Sequence, residues 1–600
     1  MSTAILTGPP VPGSQLGPDL RALGFDVQNA FLPDDLPRLL AEVPAGERVA
    51  LVDPRFLGHL HALRLALTDP RFPAASVPGA LTVQAEARPA LARALAEVPA
   101  APAAQVRTAA VLTDGVAAAL EADGVAVHHP ELGSLVATVP ADEAAAAAAS
   151  RAVSAVDDEA VRLRNAVKSR DGFFTTHFIS PYSRYIARWC ARRGLTPNQV
   201  TTASLITALI AAGCAATGTR GGYVAAGVLL ILSFVLDCTD GQLARYSLQY
   251  STMGAWLDAT FDRAKEYAYY AGLALGAARG GGSDDVWALA LGAMVLQTCR
   301  HVVDFSFNEA NHDASANTSP TAALSGKLDS VGWTVWVRRM IVLPIGERWA
   351  MIAVLTAATT PRVVFYALLI GCAFAACYTT AGRVLRSVTR RATRTDRAAR
   401  ALADLADSGP LAQLVAARAP RIPGAPVVAA VGAAALIAAA LTQPVGGRQM
   451  IVAAVFYAIL SGLAVAGPLK GALDWLVPPL FRVAEYGTVL ILAARADVDG
   501  ALPAAFGLVS AVAYHHYDTV YRIKGGSGAP PQWLVRVIGG QEGRTLVVTV
   551  LAAVLATRGT DFTLALTALA AVIALVVLVE SIRFWVSSGA PAVHDEGETA

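Results

Sequence analysis

Residues 237–262 read DCTDGQLARYSLQYSTMGAWLDATFD and contain four aspartates in two pairs. The first pair is Asp237 and Asp240, and the second is Asp258 and Asp262. Spacings of three and four residues place the two members of a pair on one face of a helix. Long apolar segments flank the stretch, so we predict two consecutive membrane helices joined by a short turn. The four carboxylates are expected to converge between the ends of these helices.

The carboxylates predict a divalent metal site. An ionisable group at membrane depth costs about 2.5–3.5 kcal/mol on insertion scales, so four adjacent carboxylates need a counter-charge. An all-oxygen ligand set suits Mg²⁺ or Mn²⁺. Gly241 and Gly254 leave room for a ligand, and Arg245 offers a planar cation suited to phosphate. Helix caps or a structural ion pair are the alternative, which the position of Asp237 deep in an apolar run disfavours.

The pattern D-x2-D-G-x2-A-R-x8-G-x3-D-x3-D resembles the motif of the CDP-alcohol phosphotransferase family. The resemblance covers roughly residues 160–390, including Thr196-Pro197-Asn198 before the first predicted span. It implies a six-helix membrane domain with Asp262 as catalytic base. The same resemblance implies metal ligands at Asp237, Asp240, Asp258 and Asp262, and CDP contacts at Asp237, Asp240, Gly241, Ala244, Arg245 and Gly254.

The implied reaction is metal-dependent transfer of a phosphoalcohol group from a CDP-alcohol to a hydroxyl acceptor, with release of CMP, in phospholipid or polar-lipid biosynthesis. CDP-diacylglycerol is a candidate donor, and a phosphorylated polyol such as inositol phosphate is a candidate acceptor. The acceptor phosphate could be bound by Arg338, Arg339 and Arg348 near the fifth span, although interfacial snorkelling explains these arginines equally well. We expect membrane lipids and a second copy of the chain as partners, and no nucleic acid.

Two other classes of membrane protein also use intramembrane carboxylates. Prenyltransferases bind a magnesium diphosphate through aspartate motifs, but those motifs are well separated in sequence and lack the Gly-x-x-Ala-Arg element. A metal transporter is the non-enzymatic alternative. It would not require Gly241, Arg245 or the fixed eight-residue gap before Gly254.

Composition places the chain among membrane proteins. Hydrophobic residues make up 54% and charged residues 16% of 600 residues, against roughly 25% charged in soluble domains. The net charge of +2 gives no nucleic-acid signature. The predicted parts are a soluble α/β domain (1–150), a basic and aromatic juxtamembrane segment (151–197), a six-helix catalytic membrane domain (198–387), a basic linker (388–424), a C-terminal helical membrane domain (425–588) and a disordered tail (589–600).

The first 150 residues alternate short apolar runs with helical stretches, which predicts a mostly parallel sheet. The expected strands are Ala4–Leu6, Val49–Val52, Ala109–Leu112 and Ser134–Val139, and the expected helices are Leu16–Leu23, Pro89–Glu97 and Ala141–Ala160. The start of the domain also resembles a nucleotidyltransferase, as in two-domain inositol-phosphate enzymes. However, Gln15 stands where a basic residue is expected and prolines crowd the loop, so we interpret the domain as degenerate, with Asp53 its one candidate metal ligand.

Twelve apolar segments follow, six in each membrane part. They lie near 198–217, 221–242, 254–279, 284–306, 346–360, 363–386, 427–443, 449–467, 475–495, 501–520, 545–557 and 563–584. In the second set, His515, His516 and Asp518 could bind metal, but adjacent histidines point to different helix faces. A polar network within the bundle, which also involves Arg482 with Glu485, is the preferred interpretation.

Basic residues flank the first six segments, at 162–193 and at 383–400. Both stretches are expected on the cytoplasmic side by the positive-inside rule. An even number of crossings must separate them. This places a multi-pass protein in the cell membrane with the active site and the N-terminal domain in the cytoplasm.

This topology is testable with single cysteines introduced near Arg170 and near Arg394, after replacement of the six native cysteines. In intact cells neither position should react with a membrane-impermeant thiol reagent, and both should react once the cells are permeabilised. Labelling of either position from outside would contradict six crossings and a cytoplasmic active site.

Overall fold

A computed structural model describes residues 2–32, 35–97, 112–168, 171–281, 285–312, 340–389 and 393–587. The chain divides into two compact units. The first unit consists of Met1–Ser169, Tyr182–Pro197 and Thr239–Ser251, and the second of Arg170–Pro181, Asn198–Cys238 and Thr252–Ala600.

The strands of the first unit are β1 (Ser2–Leu6), β2 (Phe25–Asn29), β3 (Val49–Val52), β4 (Leu57–Gly58), β5 (Ala74–Val77), β6 (Ala80–Val83), β7 (Val127–His128) and β8 (Ala137–Thr138). They form a six-stranded sheet with strand order β2-β1-β3-β6-β5-β7, and a separate pair formed by β4 and β8. In the larger sheet β1 pairs in parallel with β2 and β3, and β5 with β7, whereas β6 runs antiparallel to both neighbours. The four residues of β3, VALV, are all buried, as expected for a central strand.

Helices on both sides of the strands complete the unit. They are Leu16–Ala22, Asp35–Glu42, Leu60–Leu67, Arg88–Glu97, Leu112–Ala122, Glu143–Ser154 and Asp158–Asn165. The single helix expected over Ala141–Ala160 is divided in two, because the Asp157 side chain accepts hydrogen bonds from the backbone N–H groups of Glu159 and Ala160 and so caps a new helix.

The α/β prediction is confirmed, with differences in detail. The expected strands at Ala4–Leu6 and Val49–Val52 are present, whereas only Ala137–Thr138 is extended within Ser134–Val139. The sheet is mixed rather than mostly parallel, because the hairpin of β5 and β6 inserts an antiparallel strand. The strand expected at 109–112 falls mainly outside the described residues, and Leu112 begins a helix.

The second part of the chain is helical. After a π-helical turn at Thr175–Ile179 come Ser180–Arg192, Pro197–Ala215, Arg220–Ser247, Thr252–Arg279, Asp285–Asn311, Ile345–Ala358, Pro361–Thr389, Asp396–Leu405, Pro410–Ala416, Ala425–Thr442, Arg448–Ala464, Val477–Arg495, Ala501–Lys524, Gln532–Val537, Gly540–Leu555 and Thr560–Ser587. We call Arg220–Ser247 the first motif helix and Thr252–Arg279 the second motif helix, since they carry the four aspartates.

Within the described residues, eight helices are long and apolar enough to cross a membrane. A helix is present at each of the twelve expected spans, but four of them do not meet that standard. The second motif helix carries several charged residues, Ile345–Ala358 has only 14 residues, Arg448–Ala464 has 17, and Ala501–Lys524 contains two histidines, Asp518 and Arg522. The arrangement as six plus six crossings therefore stays a prediction.

The segment 388–424, expected as a basic linker, contains two helices with buried residues. Helix Asp396–Leu405 buries one face, including Leu402 and Leu405, because its apolar residues recur at helical spacing. Leu405 shares a core cluster with Phe305 and Tyr517. The segment is thus part of the second unit. The predicted tail, 589–600, lies outside the described residues.

Asp407, which follows the first of these helices, is the centre of a buried charge network. Its carboxylate accepts hydrogen bonds from Arg544 at 2.6 Å and pairs with Arg482 at 3.0 Å, and His515 Nε2 lies 3.2 Å from it. Glu485 binds the same two guanidinium groups, at 2.7 Å to Arg482 and 2.6 Å to Arg544. Burial alone would raise the pKa of Asp407, but Arg544, Arg482 and His515 outweigh it and hold that pKa well below its usual range.

The network predicts a large effect of Asp407→Asn on stability, because two buried arginines would then share one carboxylate. We expect a loss of about 3–5 kcal/mol in the free energy of unfolding, the range for breaking a buried pair. Denaturant titration of the purified protein, followed by tryptophan fluorescence, measures it. The control is Asp396→Asn, which removes the exposed partner of Lys470 and should change little. Equal stability of the two variants would contradict this account of the network.

Candidate active site

The two motif helices are joined by a four-residue connection, residues 248–251. Leu248 has a φ of 53°, the left-handed conformation that commonly ends a helix and reverses the chain. The short connection makes the two helices consecutive neighbours in sequence, as the spacing of the aspartates predicts.

Three of the four aspartates form a carboxylate cluster. One ligand oxygen from each of Asp237, Asp240 and Asp258 lies within 4.8 Å of the other two. Asp237 and Asp240 are one turn apart on the first motif helix, and Asp240 is only 4% exposed. Three carboxylate donors with no nitrogen or sulfur ligand fit Mg²⁺ or Mn²⁺.

Asp262, the fourth aspartate, shares a lysine partner with Asp237 of the cluster. The buried ammonium of Lys265 donates hydrogen bonds to Asp237 Oδ1 and, at 3.2 Å, to Asp262 Oδ1. Lys265 therefore supplies part of the counter-charge that the sequence requires. The family resemblance implies that Asp262 is a fourth metal ligand and the catalytic base, and both roles stay predictions. Lys265, which lies one turn beyond Asp262, forms an internal ion pair.

Residues 194–361 match the family described as CDP-alcohol phosphatidyltransferase. They contain both motif helices and all four aspartates. We call residues 194–361 the phosphatidyltransferase domain after this match. The family resemblance drawn from the motif is thereby confirmed, and with eight apolar helices it indicates a multi-pass membrane protein. Residues 396–600 match a second family, described as a family of unknown function (DUF5941).

Several curated relatives share part of this domain. A phosphatidylinositol phosphate synthase from Streptomyces avermitilis is 32% identical over 130 residues, which are 21% of this chain and 51% of that protein. An archaetidylinositol phosphate synthase from Pyrococcus horikoshii is 34% identical over 91 residues, 15% of this chain and 47% of that protein. A bifunctional IPC transferase and DIPP synthase from Thermococcus kodakarensis is 34% identical over 113 residues, 19% and 25% respectively. The chain thus spans about half or less of these relatives.

Behind the aspartates, the phosphatidyltransferase domain contains a second group of charges around Glu266. Its carboxylate accepts hydrogen bonds from Arg263 at 2.8 Å, Tyr270 at 2.7 Å and Arg348 at 3.3 Å. Arg348 is only 2% exposed, so its charge is balanced inside the protein. Its expected contact with an acceptor phosphate stays a prediction. Arg338 and Arg339 lie outside the described residues.

The expected CDP-binding residues lie along the same helices. A Cβ at Gly241 would lie 3.5 Å from the guanidinium nitrogens of Arg245, which is ordinary van der Waals contact, so Gly241 borders that group directly. Arg245 Nε donates a hydrogen bond to the Ala166 carbonyl at 2.7 Å, which fixes one edge of the guanidinium group. Ala244 and Gly254 are half-buried. Their contacts with CDP stay predictions.

Several residues next to the domain's aspartates have no role predicted from the sequence. In the first unit, Ser183 Oγ donates to Gln242 Oε1 at 2.8 Å, and Gln242 lies between Gly241 and Ala244 of the motif. In the second unit, the Arg263 guanidinium lies 5.2 Å from the ring centre of Tyr517. Tyr517 belongs to the DUF5941 region, and its hydroxyl also contacts His301. Contacts between residues so distant in sequence leave no local signal.

The position of Lys265 predicts a specific effect on metal binding. Lys265→Met removes a cation from the carboxylate cluster, so the protein should unfold at a lower temperature in EDTA than the wild type. Addition of Mg²⁺ should then raise the unfolding temperature by more than it does in the wild type, because the metal replaces the lost charge.

Thermal unfolding of the purified protein, with and without Mg²⁺, measures both effects. Lys470→Met, which removes a partly exposed lysine paired with Asp396, is the control and should match the wild type. A Mg²⁺-induced shift in Lys265→Met that equals or falls below that of the wild type would contradict a shared role of metal and lysine.

Proposed function

We propose that the chain catalyses metal-dependent transfer of a phosphoalcohol group from a CDP-alcohol to a hydroxyl acceptor, releasing CMP. The observation that carries the proposal is the cluster of Asp237, Asp240 and Asp258 inside the region that matches the phosphatidyltransferase family. The cluster provides a site for a divalent cation, and the motif around it supplies a cation, Arg245, for a phosphate group.

The relatives support a choice of substrates. Two of them are named synthases of inositol phosphate lipids, one phosphatidyl and one archaetidyl. We therefore propose a phosphorylated polyol such as inositol phosphate as the acceptor and a CDP-linked lipid, such as CDP-diacylglycerol, as the donor. Arg338, Arg339 and Arg348 are proposed to bind the acceptor phosphate. For Arg348 this requires that it contact the phosphate while paired with Glu266.

The metal ligands in this proposal are Asp237, Asp240 and Asp258, with Asp262 assisting. When bound, Mg²⁺ or Mn²⁺ offsets the charge of the pyrophosphate and of the departing CMP. Gly241, Ala244 and Gly254 leave space along the motif helices for the CDP group. Arg245 is held by its bond to the Ala166 carbonyl, and its positive charge binds phosphate oxygens.

The chemical step is a direct displacement at the phosphorus that carries the alcohol. The acceptor hydroxyl oxygen forms a new bond to this phosphorus, and the bond from phosphorus to the CMP oxygen breaks. Asp262 accepts the hydroxyl proton as general base. Lys265, bonded to Asp262 at 3.2 Å, holds that carboxylate in position. We propose that the site faces the cytoplasm and that the chain forms a homodimer in the cell membrane.

Asp240→Asn tests the proposal directly. The variant should fold and insert but lose transfer activity, because an amide at this buried position removes one negative ligand from the cluster. Activity should disappear with EDTA and return with Mg²⁺ or Mn²⁺, whereas the larger Ca²⁺ should support it poorly. Asp561→Asn, at an exposed position of the last helix, is the matched control and should remain active. Wild-type turnover by purified Asp240→Asn would exclude this role for the cluster.

Isotope exchange separates the reaction from its alternatives. Labelled CMP should exchange into a CDP-alcohol in the presence of enzyme, metal and the transfer product, because the displacement is reversible and the product returns its phosphoalcohol group to CMP. A prenyltransferase would not exchange CMP, and a metal transporter would show no exchange while still moving metal across a vesicle membrane. Absence of exchange with all lipid and polar CDP-alcohols would contradict the proposed reaction.

A further inference from the structure

The first unit contains a polar cavity of about 620 Å³ that has no part in the reaction proposed above. This volume lies in the range of small-molecule pockets, roughly 300–1,000 Å³. Helices Leu60–Leu67, Asp158–Asn165 and Ser180–Arg192 and the end of the first motif helix contribute to its wall. Its polar lining includes His61, Arg64, Asp158, Arg162, Tyr246 and Ser247.

His61 faces this cavity with both of its ring nitrogens unsatisfied. The side chain is only 4% exposed, and neither Nδ1 nor Nε2 has a hydrogen-bond partner among the described residues. Leaving such a buried group unpaired is unfavourable. Burial, with Arg162 and Arg64 nearby, lowers the pKa of His61 to about 3, so the neutral ring has one donor and one acceptor to offer. A polar ligand in the cavity would satisfy both.

Two arginines in the wall also have unused donors. The Arg64 guanidinium forms no hydrogen bond or ion pair within the described part of the chain. Arg162 donates its Nε to the Tyr246 carbonyl at 2.6 Å, which leaves its terminal nitrogens for another acceptor. Burial and the charge of Arg64 lower the pKa of Arg162 to about 10, so the two cations repel each other in a partly dry site. An anion between them would relieve this repulsion.

The remaining charges in the wall are largely satisfied. Glu159 binds Arg192 at 3.0 Å and accepts the Tyr246 hydroxyl at 3.0 Å, so it offsets only part of the charge of Arg162 and forms no ion pair with it. Arg192 is 63% exposed and lies at the outer edge of the cavity. Asp158 Oδ2 accepts the backbone N–H of His61 at 3.3 Å. The surplus of positive charge is therefore concentrated at Arg64 and Arg162.

The other lining groups indicate what accompanies the anion. The Arg162 guanidinium lies 3.5 Å from the centre of the Tyr246 ring, so it covers one face of that ring and a nucleobase cannot stack there. Ser247, Gln249 and Asp158 instead offer hydrogen-bonding groups suited to hydroxyls. We propose that this cavity is a binding site for the phosphate ester of a small polyhydroxylated molecule, with the phosphate at Arg64 and Arg162 and hydroxyls at His61, Asp158 and Ser247.

The proposal does not depend on the transfer reaction. The cavity ligand contacts none of the four aspartates, and its binding requires no metal. The same chemistry belongs to a free polyol phosphate and to the phosphorylated polyol headgroup of a lipid. The experiment must therefore separate these two sources, and it must also separate the cavity from the acceptor site proposed at Arg348.

Isothermal titration of the purified full-length protein in EDTA, with inositol 1-phosphate as the probe, tests the site. Binding is expected for this probe and not for inositol, because the phosphate supplies the contact with the two arginines. Arg64→Gln and Arg162→Gln should each weaken binding by at least about tenfold, the size expected for a charged hydrogen bond. Arg64→Lys, which keeps the charge, should retain part of the affinity.

Two further variants serve as controls, one for misfolding caused by loss of a buried charge and one for a general effect of removing an arginine. Ala22→Trp adds bulk at an exposed position of the wall without removing a charge, so it should fold normally and still lose binding. Arg93→Gln, an exposed arginine of the same unit paired with Asp123 at 2.6 Å, should bind like the wild type. Arg348→Gln should still bind the probe in the cavity, which is the binding that Arg64→Gln weakens.

The lipid arm uses nanodiscs of neutral lipid with and without a phosphoinositide. Displacement of the probe by the phosphoinositide, in wild type but not in Arg64→Gln, identifies a headgroup as the ligand, and no displacement identifies a soluble one. The inference is overturned if Arg64→Gln and Ala22→Trp bind the probe as the wild type does, if Arg348→Gln alone removes binding, or if neither probe nor lipid binds. None of these results bears on whether Asp240→Asn loses transfer activity.

Discussion

The balance of charge inside apolar surroundings is the constraint on which the helical part of this protein depends. Four aspartates occur on two consecutive helices, and an ionised carboxylate there is costly unless it is paired. Lys265 pairs with two of them, and three form a cluster suited to a divalent cation. Glu266, one turn beyond Asp262 on the second motif helix, continues the pattern by pairing with Arg348. The site is thus built from compensated charges, and a metal would complete the compensation.

The features of this arrangement that could be predicted from the sequence are those set by residues close together in the chain. Helical spacing fixes which aspartates share a face, and the short connection places the second motif helix directly after the first, so the cluster of Asp237, Asp240 and Asp258 could be predicted. The positions of most helices followed from apolar length in the same way. Asp262 and Arg348 were harder, since their partners, Lys265 and Glu266, depend on side-chain geometry that spacing alone does not determine. The hairpin of β5 and β6 escaped prediction because its short strands are buried on both faces and show no alternation.

In the DUF5941 region, buried charges are also balanced by opposite charges, but the partners are farther apart in the sequence. Asp407 comes from a segment that composition marks as a linker, yet it neutralises arginines on two helices more than 70 residues away. Tyr517, which is also in this region, contacts Arg263 of the phosphatidyltransferase domain, the residue that follows Asp262 in the sequence. Since Arg263 also binds Glu266, one tyrosine of the DUF5941 region touches the charge network behind the aspartates. The C-terminal helices are therefore part of the structure that holds the site.

The N-terminal sheet shows the opposite outcome for a carboxylate at the end of a strand. Asp53 follows β3 and is buried, and from the sequence it is a candidate metal carboxylate, although an aspartate at the end of a strand is common in any fold. Both of its oxygens are occupied by Arg55, through the backbone N–H at 2.8 Å, Nε at 3.1 Å and Nη2 at 2.8 Å. A metal would have to displace a bidentate arginine, which makes cation binding unfavourable. This geometry supports the interpretation of the domain as degenerate. It also fits a different use of the first unit, in which arginines without carboxylate partners, rather than carboxylates, form its ligand site.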